Sequence, residues 1–333
     1  MIANPYENVD WSSCGRYKAN LHTHTFLSDG RISVRQAIDL YRDYGYRILA
    51  LTDHSSVTLR TTWPWSRWRR DPAATGMMAV QGNEIGFRYV RCGSRTLIAQ
   101  DHVLSYFVGY KAALLWPHHT QEDFIRIIGE RGGLAVFAHP KEYERFRAPE
   151  YYISLFRQYP HLAGMELFTR HSSGEALWDR LLSELMPRRP VWGFANDDLH
   201  SLKQFGRCFN IFLLDPGTID SWENPAVLRQ AMERGQFYFS WVEDPSWVKN
   251  SSVDPPPAIK SIEVGEGYIR IEAEGAVEPP EWIVDGGRVL FRGDTFRCPS
   301  EDQPFTYVRV RLTGRNGKTY TNPFGLLKAP GTT

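Results

Sequence analysis

The sequence predicts an α/β protein in two parts: a barrel over residues 1–250, followed by a small β-sandwich domain over residues 251–333. Apolar strand-like runs alternate with helix-period segments between residues 17 and 240, which predicts a parallel sheet closed into a barrel. A proline-rich connector, SSVDPPP, starts at Ser251. Short alternating runs with turn residues follow it and indicate roughly 80 residues of β-sandwich.

Each element of the first part rests on a local pattern. The predicted strands are Lys18–Leu21, Arg47–Thr52, Met77–Gln81, Leu134–Phe137, Gly164–Phe168, Val191–Ala195 and Cys208–Leu214. A helix is predicted over Ser33–Tyr44, because Val34, Ala37, Ile38 and Tyr41 share one helical face. Two more helices are predicted, one capped by Thr120 with Asp123, the other opening at Asn224-Pro225.

The second part is predicted to consist of strands. Its predicted strands are Ile259–Val264, Tyr268–Ala273, Trp282–Val284 and Phe305–Leu312, with a hairpin turn at Arg315-Asn316-Gly317.

Composition excludes several classes of protein. Hydrophobic residues make up 42 % and charged residues 23 %, as in folded globular proteins, and the net charge of +1 disfavours a general polyanion binder. The four cysteines are far apart, which argues against a disulfide scaffold. The first residues lack a signal-peptide pattern and no apolar run reaches ~20 residues, so we expect a cytoplasmic protein without a membrane partner.

Polar motifs with histidine or carboxylate side chains fall at or just after the ends of predicted strands. They are His22-Thr-His24 followed by Ser28-Asp29-Gly30, Thr52-Asp53-His54, Gly82-Asn83-Glu84, Phe137-Ala-His139-Pro140 and Asp198-Leu-His200, with His102 as a further candidate. Residues at the carboxyl ends of barrel strands converge on one mouth. Asp53 is expected to orient a neighbouring group, and the spacing favours Asp198 over Asp197 as a ligand.

This donor set predicts a metal centre. The nine candidate ligands are His22, His24, Asp29, His54, Glu84, His102, His139, Asp198 and His200. Imidazole and carboxylate groups suit manganese, iron and zinc, and one tetrahedral site takes at most about four protein ligands. We therefore expect two or three divalent ions, with a carboxylate such as Glu84 bridging a pair.

The charge of such a centre favours a phosphate ester. Three divalent ions and three carboxylates leave a net charge of about +3, and metal ions lower the pKa of bound water and stabilise the attacked and leaving oxygens. We expect a metal-bound hydroxide to attack phosphorus, with Glu84, Asp198 and His200 as the catalytic side chains. The acid that protonates the leaving group is left open between Asp198 and a histidine.

Three cationic side chains are candidates for substrate binding: Arg60, Lys141 and Arg207. Arg60 belongs to the segment Leu59–Asp71, which interleaves three tryptophans with four arginines. This segment fits an outer loop packed on the barrel, the interpretation we favour, or else a lid over the site.

The motif set resembles the PHP (polymerase and histidinol phosphatase) family of metal-dependent hydrolases, and the resemblance covers roughly residues 17–240. It implies a distorted (β/α)7 barrel with a two- or three-metal centre. Its first metal would take His22, His24, Glu84 and Asp198; its second Glu84, His102 and His139; and its third Asp29, His54 and His200. The β-rich tail ending in Tyr320-Thr-Asn-Pro323 is similar to that of the CehA/McbA-like branch, which includes carbamate-ester hydrolases.

The alternatives at this point are different functions for the same site. The first is a carboxyl-ester, carbamate-ester or amide hydrolase. A binding module without turnover is disfavoured because all nine ligand positions are occupied, and a proofreading nuclease because no basic track for DNA is visible. We therefore expect a small-molecule phosphate ester as substrate and no stable nucleic-acid partner.

Overall fold

The computed structural model describes residues 2–55, 62–86, 90–92, 95–97, 102–108, 120–169, 172–216, 225–298 and 305–327. They form a mixed α/β fold around one large sheet. The strands are β1 (Ile2–Ala3), β2 (Gly15–Asn20), β3 (Ile48–Leu51), β4 (Met78–Ile85), β5 (Val90–Cys92), β6 (Arg95–Leu97), β7 (Val103–Tyr106), β8 (Leu134–Phe137), β9 (Leu162–Thr169), β10 (Ser172–Ser173), β11 (Trp192–Ala195), β12 (Cys208–Leu214), β13 (Phe237–Val242), β14 (Ala258–Gly265), β15 (Tyr268–Glu274), β16 (Glu281–Val284), β17 (Arg288–Arg292), β18 (Thr295–Arg297), β19 (Tyr307–Gly314), β20 (Gly317–Thr321) and β21 (Phe324–Leu326). The α-helices are α1 (Val34–Asp43), α2 (Pro72–Thr75), α3 (Gln121–Glu130), α4 (Pro149–Gln158), α5 (Glu175–Leu185) and α6 (Ala226–Arg234).

The helices begin where the sequence places their caps. Ser33 and Gln36 exchange side-chain and backbone hydrogen bonds at the start of α1, and Thr120 does the same with Asp123 at the start of α3. The predicted face of α1 is fully buried against the sheet, with its four apolar residues at 0 % exposure. Gly235 ends α6 with a φ of 71°, a left-handed conformation that favours glycine.

The central sheet is mixed rather than wholly parallel. The pairs β2–β3, β3–β4, β8–β9 and β9–β11 are parallel, as predicted, whereas β7 runs antiparallel between β4 and β8, and β12 runs antiparallel to β2. The described part of the connection between β4 and β7 is the two-stranded ribbon β5–β6. A parallel neighbour needs a crossover, usually through a helix, so this connection is compatible with an antiparallel β7.

The two ends of this series of strands meet through a side chain. Asn210 in β12 accepts a hydrogen bond from the Ala195 amide (3.1 Å) and donates one to the Ala195 carbonyl in β11 (2.8 Å). The side-chain amide of Asn210 thus makes the two hydrogen bonds to Ala195 that the backbone of a paired strand would make. The mixed α/β fold with a large central sheet is confirmed, and closure into a (β/α)7 barrel stays a prediction.

The last part of the chain extends the same sheet. Strand β20 pairs with β13, and β19 pairs with β20 through a hairpin whose two-residue loop is Arg315-Asn316. A separate sheet, β14-β15-β18, shares a hydrophobic core with β16 and β19. Strands from both sides of residue 250 therefore belong to one sheet, and a division into folding units at that residue stays a prediction.

Among the described helices, none has the length and apolar character needed to cross a membrane.

Candidate metal centre

The ends of several strands bring the predicted ligands together at one edge of the sheet. His22 and His24 follow β2, and the segment is held there because the His24 amide donates to the Leu199 carbonyl (2.9 Å) just after β11. Glu84 lies inside β4 and His102 directly before β7. The other five ligand candidates follow strand ends: Asp29 after β2, His54 after β3, His139 after β8, and Asp198 and His200 after β11. All nine predicted ligands occur in the groups of side chains that can hold a metal ion.

The first group has the donor spacing of a coordination shell. His22 Nε2 lies 3.0 Å from His24 Nε2, 3.3 Å from Glu84 Oε2 and 3.4 Å from Asp198 Oδ1. His24 Nε2 lies 3.1 Å from Glu84 Oε2 and 3.2 Å from Asp198 Oδ1. Ligands about 2.0–2.1 Å from a tetrahedral ion lie about 3.3 Å from one another, so His22, His24 and Glu84 have the spacing of ligands to one divalent ion, and Asp198 has that spacing to both imidazoles.

Glu84 links this group to a second one. Its Oε1 lies 2.7 Å from His102 Nδ1 and 2.9 Å from His139 Nε2. Its Oε2 lies 3.0 Å from His54 Nδ1, in addition to the two imidazoles of the first group. Because its two oxygens face different sets of nitrogens, Glu84 has the geometry of a bridging carboxylate.

The third group is the most open to solvent. Asp29 lies 3.5 Å from His24, 3.6 Å from His54 and 3.3 Å from His200, and its side chain is 37 % exposed. His24 belongs to this group as well as to the first one, which the sequence did not indicate.

The electrostatics of the cluster depend on protons. Burial raises the pKa of Glu84, but the neighbouring imidazoles, with His102 and His22 foremost, outweigh it and hold that pKa well below its usual range. Burial lowers the pKa of His24, but Asp198 and Glu84 outweigh it and raise that pKa to about 9. The carboxylates thus stabilise protons on His22, His24 and His139 in the absence of an ion, whereas burial lowers the pKa of His102. A divalent ion can displace those protons, so the donor set fits a metal centre.

Two ligand candidates sit on strained backbone. His139 has a φ of 31° and Asp198 a φ of 46°, in the left-handed region that non-glycine residues rarely adopt. Such conformations cost about 1–3 kcal/mol each and cluster at functional sites, where surrounding contacts maintain them.

Glu166 is a buried carboxylate behind the cluster that the sequence did not single out. It lies in the middle of β9 and contacts His22 Nδ1 through both oxygens, at 3.0 and 3.1 Å. It also accepts hydrogen bonds from the His139 amide (3.0 Å) and from Asn196 Nδ2 (2.8 Å). The sequence feature that could have identified Glu166 is its position as the single charged residue inside the otherwise apolar predicted strand Gly164–Phe168.

The other two aspartates of the motifs position backbone. Asp53 accepts hydrogen bonds from the amide and hydroxyl of Thr25 and from the Ser28 hydroxyl, so it shapes the segment after His24. Asp197 accepts three backbone amides, from residues 206 to 208, and burial raises its pKa to about 6. Asp198, its neighbour, faces the imidazoles.

The predicted substrate-binding cations are engaged elsewhere or lie outside the described residues. Lys141 pairs with Glu144 in the turn after His139. Arg207 donates to the carbonyls of Val242 (3.1 Å) and Glu243 (2.7 Å). Arg60 lies outside the described residues, as do all residues from 56 to 61.

Comparison with known proteins gives a likeness of fold. No family model and no curated protein matches this chain. A two-domain protein from Bacteroides vulgatus that contains a predicted PHP-like metal-dependent phosphoesterase aligns over 95 % of this chain and 96 % of its own, with a TM-score of 0.55 and 14 % identity. At that identity the likeness shows a shared fold and does not extend to the chemistry.

Two other solved structures align over 55 % of this chain. They are an inferred metal-dependent phosphoesterase from Bifidobacterium adolescentis (17 % identity, 87 % of its chain, TM-score 0.39) and an amidohydrolase from Chromobacterium violaceum with bound sulfate (16 % identity, 88 % of its chain, TM-score 0.37). These TM-scores are too low to support an argument about this chain.

Proposed function

We propose that this protein is a metal-dependent phosphoesterase that hydrolyses a phosphate mono- or diester of a small molecule. One observation carries the proposal: six imidazoles and three carboxylates form groups of three or four side chains that can hold a metal ion. Within each group, the donor atoms all lie within 4.8 Å of one another. The fold shared with a protein that contains a predicted PHP-like metal-dependent phosphoesterase supports it.

The proposed centre holds two or three divalent ions of manganese, iron or zinc. His22, His24, Glu84 and Asp198 would hold the first, Glu84 with His102 and His139 the second, and Asp29, His54 and His200 the third. Divalent ions in such a site lower the pKa of a bound water and stabilise charge on the attacked and leaving oxygens of the ester.

The chain's own side chains supply orientation and proton transfer. Glu84 holds the two inner groups at a fixed separation, since each of its oxygens faces a different set of imidazoles. Asp198 is the proposed base toward the attacking water, and His200 Nδ1 lies 3.3 Å from Asp198 Oδ1. His200 Nδ1 also lies 2.9 Å from the Asp198 backbone carbonyl, which only accepts hydrogen bonds, so His200 donates to Asp198 and orients it rather than receiving its proton. The acid that protonates the leaving oxygen would be Asp198, once it has accepted the proton of the water, or a histidine.

A carboxyl-ester, carbamate-ester or amide hydrolase on the same centre is the second candidate. The pairing of Lys141 with Glu144, and of Arg207 with two backbone carbonyls, favours it, because a phosphate substrate profits most from free cationic side chains.

A matched panel of p-nitrophenyl substrates tests the proposal. Initial rates are measured with added Mn²⁺ on the phosphate monoester, the phosphate diester, the carboxylic ester and the carbamate. His22→Ala should abolish turnover, whereas His161→Ala should retain it, because His161 hydrogen-bonds to the Ile125 carbonyl and packs on Tyr159, outside the cluster. Turnover of the carboxylic ester or carbamate alone would move the assignment to the second candidate.

A further inference from the structure

Glu166 contacts the ligand candidates from the side that faces away from the proposed metal ions. Its side chain is fully buried in β9, and His22 Nδ1, the His139 amide and Asn196 Nδ2 all lie 2.8–3.1 Å from its oxygens. We propose that Glu166 is a positioning residue that sets the ligand geometry of three separate segments of the proposed metal centre. The proposal rests on the proposed function for the reaction it serves, and on the contacts of Glu166 for the role itself.

The first contact fixes which ring nitrogen of His22 can bind an ion. An ionised carboxylate only accepts hydrogen bonds, so the nitrogen that faces Glu166, Nδ1, carries the proton. The opposite nitrogen, Nε2, is the one that lies 3.0–3.4 Å from His24, Glu84 and Asp198. With its proton on Nδ1, His22 keeps a free lone pair on Nε2. That lone pair points to the space between His24, Glu84 and Asp198, where it could bind a metal ion. Hydrogen bonds of this kind orient metal-binding histidines and raise their basicity.

The second contact holds the strained backbone of His139. Its amide donates to Glu166 Oε2 at 3.0 Å, and its φ of 31° is left-handed. A left-handed conformation is unfavourable for a residue with a side chain, and the charge-assisted hydrogen bond to Glu166 offsets that cost. Glu166 thus stabilises the backbone turn that places His139 Nε2 2.9 Å from Glu84 Oε1.

The third contact reaches the segment that bears Asp198. Asn196 donates to Glu166 Oε1, and its own carbonyl oxygen accepts the Leu21 amide (2.8 Å) and Asn210 Nδ2 (2.9 Å). Asn196 therefore fastens the end of β11 to the end of β2, two residues before Asp198. The three ligand candidates that Glu166 reaches, His22, His139 and Asp198, themselves form one of the groups able to hold a metal ion.

Glu166 is not placed as a ligand itself. Both of its oxygens face the outer edge of the His22 ring, on the side away from Nε2, and each already accepts hydrogen bonds. Its influence on an ion therefore passes through His22, His139 and Asn196.

The test is Glu166→Gln, which keeps the shape but replaces one acceptor oxygen with a donor. The amide nitrogen of glutamine must take the place of Oε2, facing the His139 amide, or of Oε1, facing Asn196 Nδ2, so one contact becomes donor against donor in either orientation, and only one oxygen remains to accept from His22 Nδ1. We expect Mn²⁺ affinity, measured by calorimetric titration, to fall 10- to 100-fold. We expect kcat to fall with little change in KM. Glu281→Gln, a buried carboxylate in the C-terminal strands, is the matched control and should leave Mn²⁺ affinity unchanged.

A measurement on the unaltered protein keeps the proposal testable if Glu166→Gln does not fold. In the zinc-loaded wild type, proton–nitrogen correlation spectra should show His22 bound through Nε2 with its proton on Nδ1. Coordination through Nδ1, or an unchanged Mn²⁺ affinity in folded Glu166→Gln, would overturn the role of Glu166. Weakened Mn²⁺ binding in a protein that hydrolyses no phosphate ester would instead overturn the proposed function and leave the role of Glu166 standing.

Discussion

Two clusters of charged side chains in this molecule can be compared directly. The ligand cluster contains the nine predicted metal ligands. The arginine cluster joins α5 to the C-terminal strands and consists of Glu175, Asp179, Glu281, Arg292, Arg309 and Arg311. Carboxylates are numerous in both, and the difference lies in the groups they face.

In the arginine cluster the positive charges are permanent. Arg309 is 1 % exposed and makes two parallel hydrogen bonds of 2.8 Å to Asp179, and Arg311 and Arg292 lie 2.7 and 2.8 Å from the two oxygens of Glu281. Guanidinium groups stay charged at every accessible pH. The three positive charges therefore neutralise the three carboxylates without a metal ion or an additional proton.

In the ligand cluster the carboxylates face imidazoles, whose charge depends on bound protons. Burial lowers the pKa of His22, but Glu166 and Asp198 outweigh it and raise that pKa well above its usual value. Such a cluster can exchange protons for metal ions, whereas the arginine cluster has nothing to exchange. The comparison indicates that the arginine cluster serves stability and the ligand cluster serves ion binding.

Breaking the arginine cluster should produce the largest loss of stability. Arg309→Met leaves Asp179 buried with a tyrosine hydroxyl and without its guanidinium partner. We expect the free energy of unfolding, measured in urea, to fall by about 3–5 kcal/mol. The double variant Arg309→Met with Asp179→Leu should recover most of the loss, since no buried charge remains. A loss below about 1 kcal/mol in the single variant would contradict the comparison.

Removal of metal should produce a smaller loss, confined to the ligand cluster. Ions at 100 times their dissociation constant stabilise the folded state by about 2.7 kcal/mol, and a chelator should remove that contribution. The effect should shrink as the pH falls below about 9, because protons compete for His24. Asp198→Asn should reduce the shift of the urea midpoint that the chelator causes, because the first ion loses a ligand, whereas Arg309→Met should leave that shift intact. Equal chelator sensitivity in Asp198→Asn and wild type would remove Asp198 from the ligand set.

The two clusters also differ in how far the sequence predicts them. The nine ligand candidates lie in short motifs at or near predicted strand ends, and those ends meet at one sheet edge, so residue type and position suffice to collect them. Glu166 escaped prediction because its partners come from three other segments of the chain. The arginine cluster escaped for the same reason, as Arg309 and Asp179 are 130 positions apart.

Sheet topology shows the same limit. The predicted strand Leu134–Phe137 and the α1 cap at Ser33 depend on local pattern, and the structure confirms both. The direction of β7 and the pairing of β20 with β13 depend on chain connections and distant partners, which no local pattern records.

A half-buried cation of a third kind extends the comparison. Unlike the arginines, Lys18 can lose its charge by releasing a proton. Unlike the imidazoles of the ligand cluster, it does not exchange that proton for a metal ion. Its Nζ lies 4.1 Å from the ring centre of Tyr46 and 4.5 Å from those of Phe209 and Trp247. Burial lowers its pKa to about 7, against a smaller upward effect of Asp197.

This shift fixes the sign of a pH effect. The folded-state pKa lies below the unfolded value of about 10.4, so between about pH 7 and pH 10 the unfolded chain binds more protons and stability rises with pH. The stability of Lys18→Met relative to wild type should therefore be greatest at pH 6, and this difference should shrink by an amount on the order of 2–3 kcal/mol by pH 9. Urea unfolding at the two pH values measures it, with Lys260→Met, an exposed lysine paired with Glu274, as the control without a pH-dependent gap. A difference in unfolding free energy between Lys18→Met and wild type that does not change with pH would contradict this prediction. It would mean that the contacts with the three rings keep Lys18 protonated in the folded protein, as the carboxylates keep Arg309 charged.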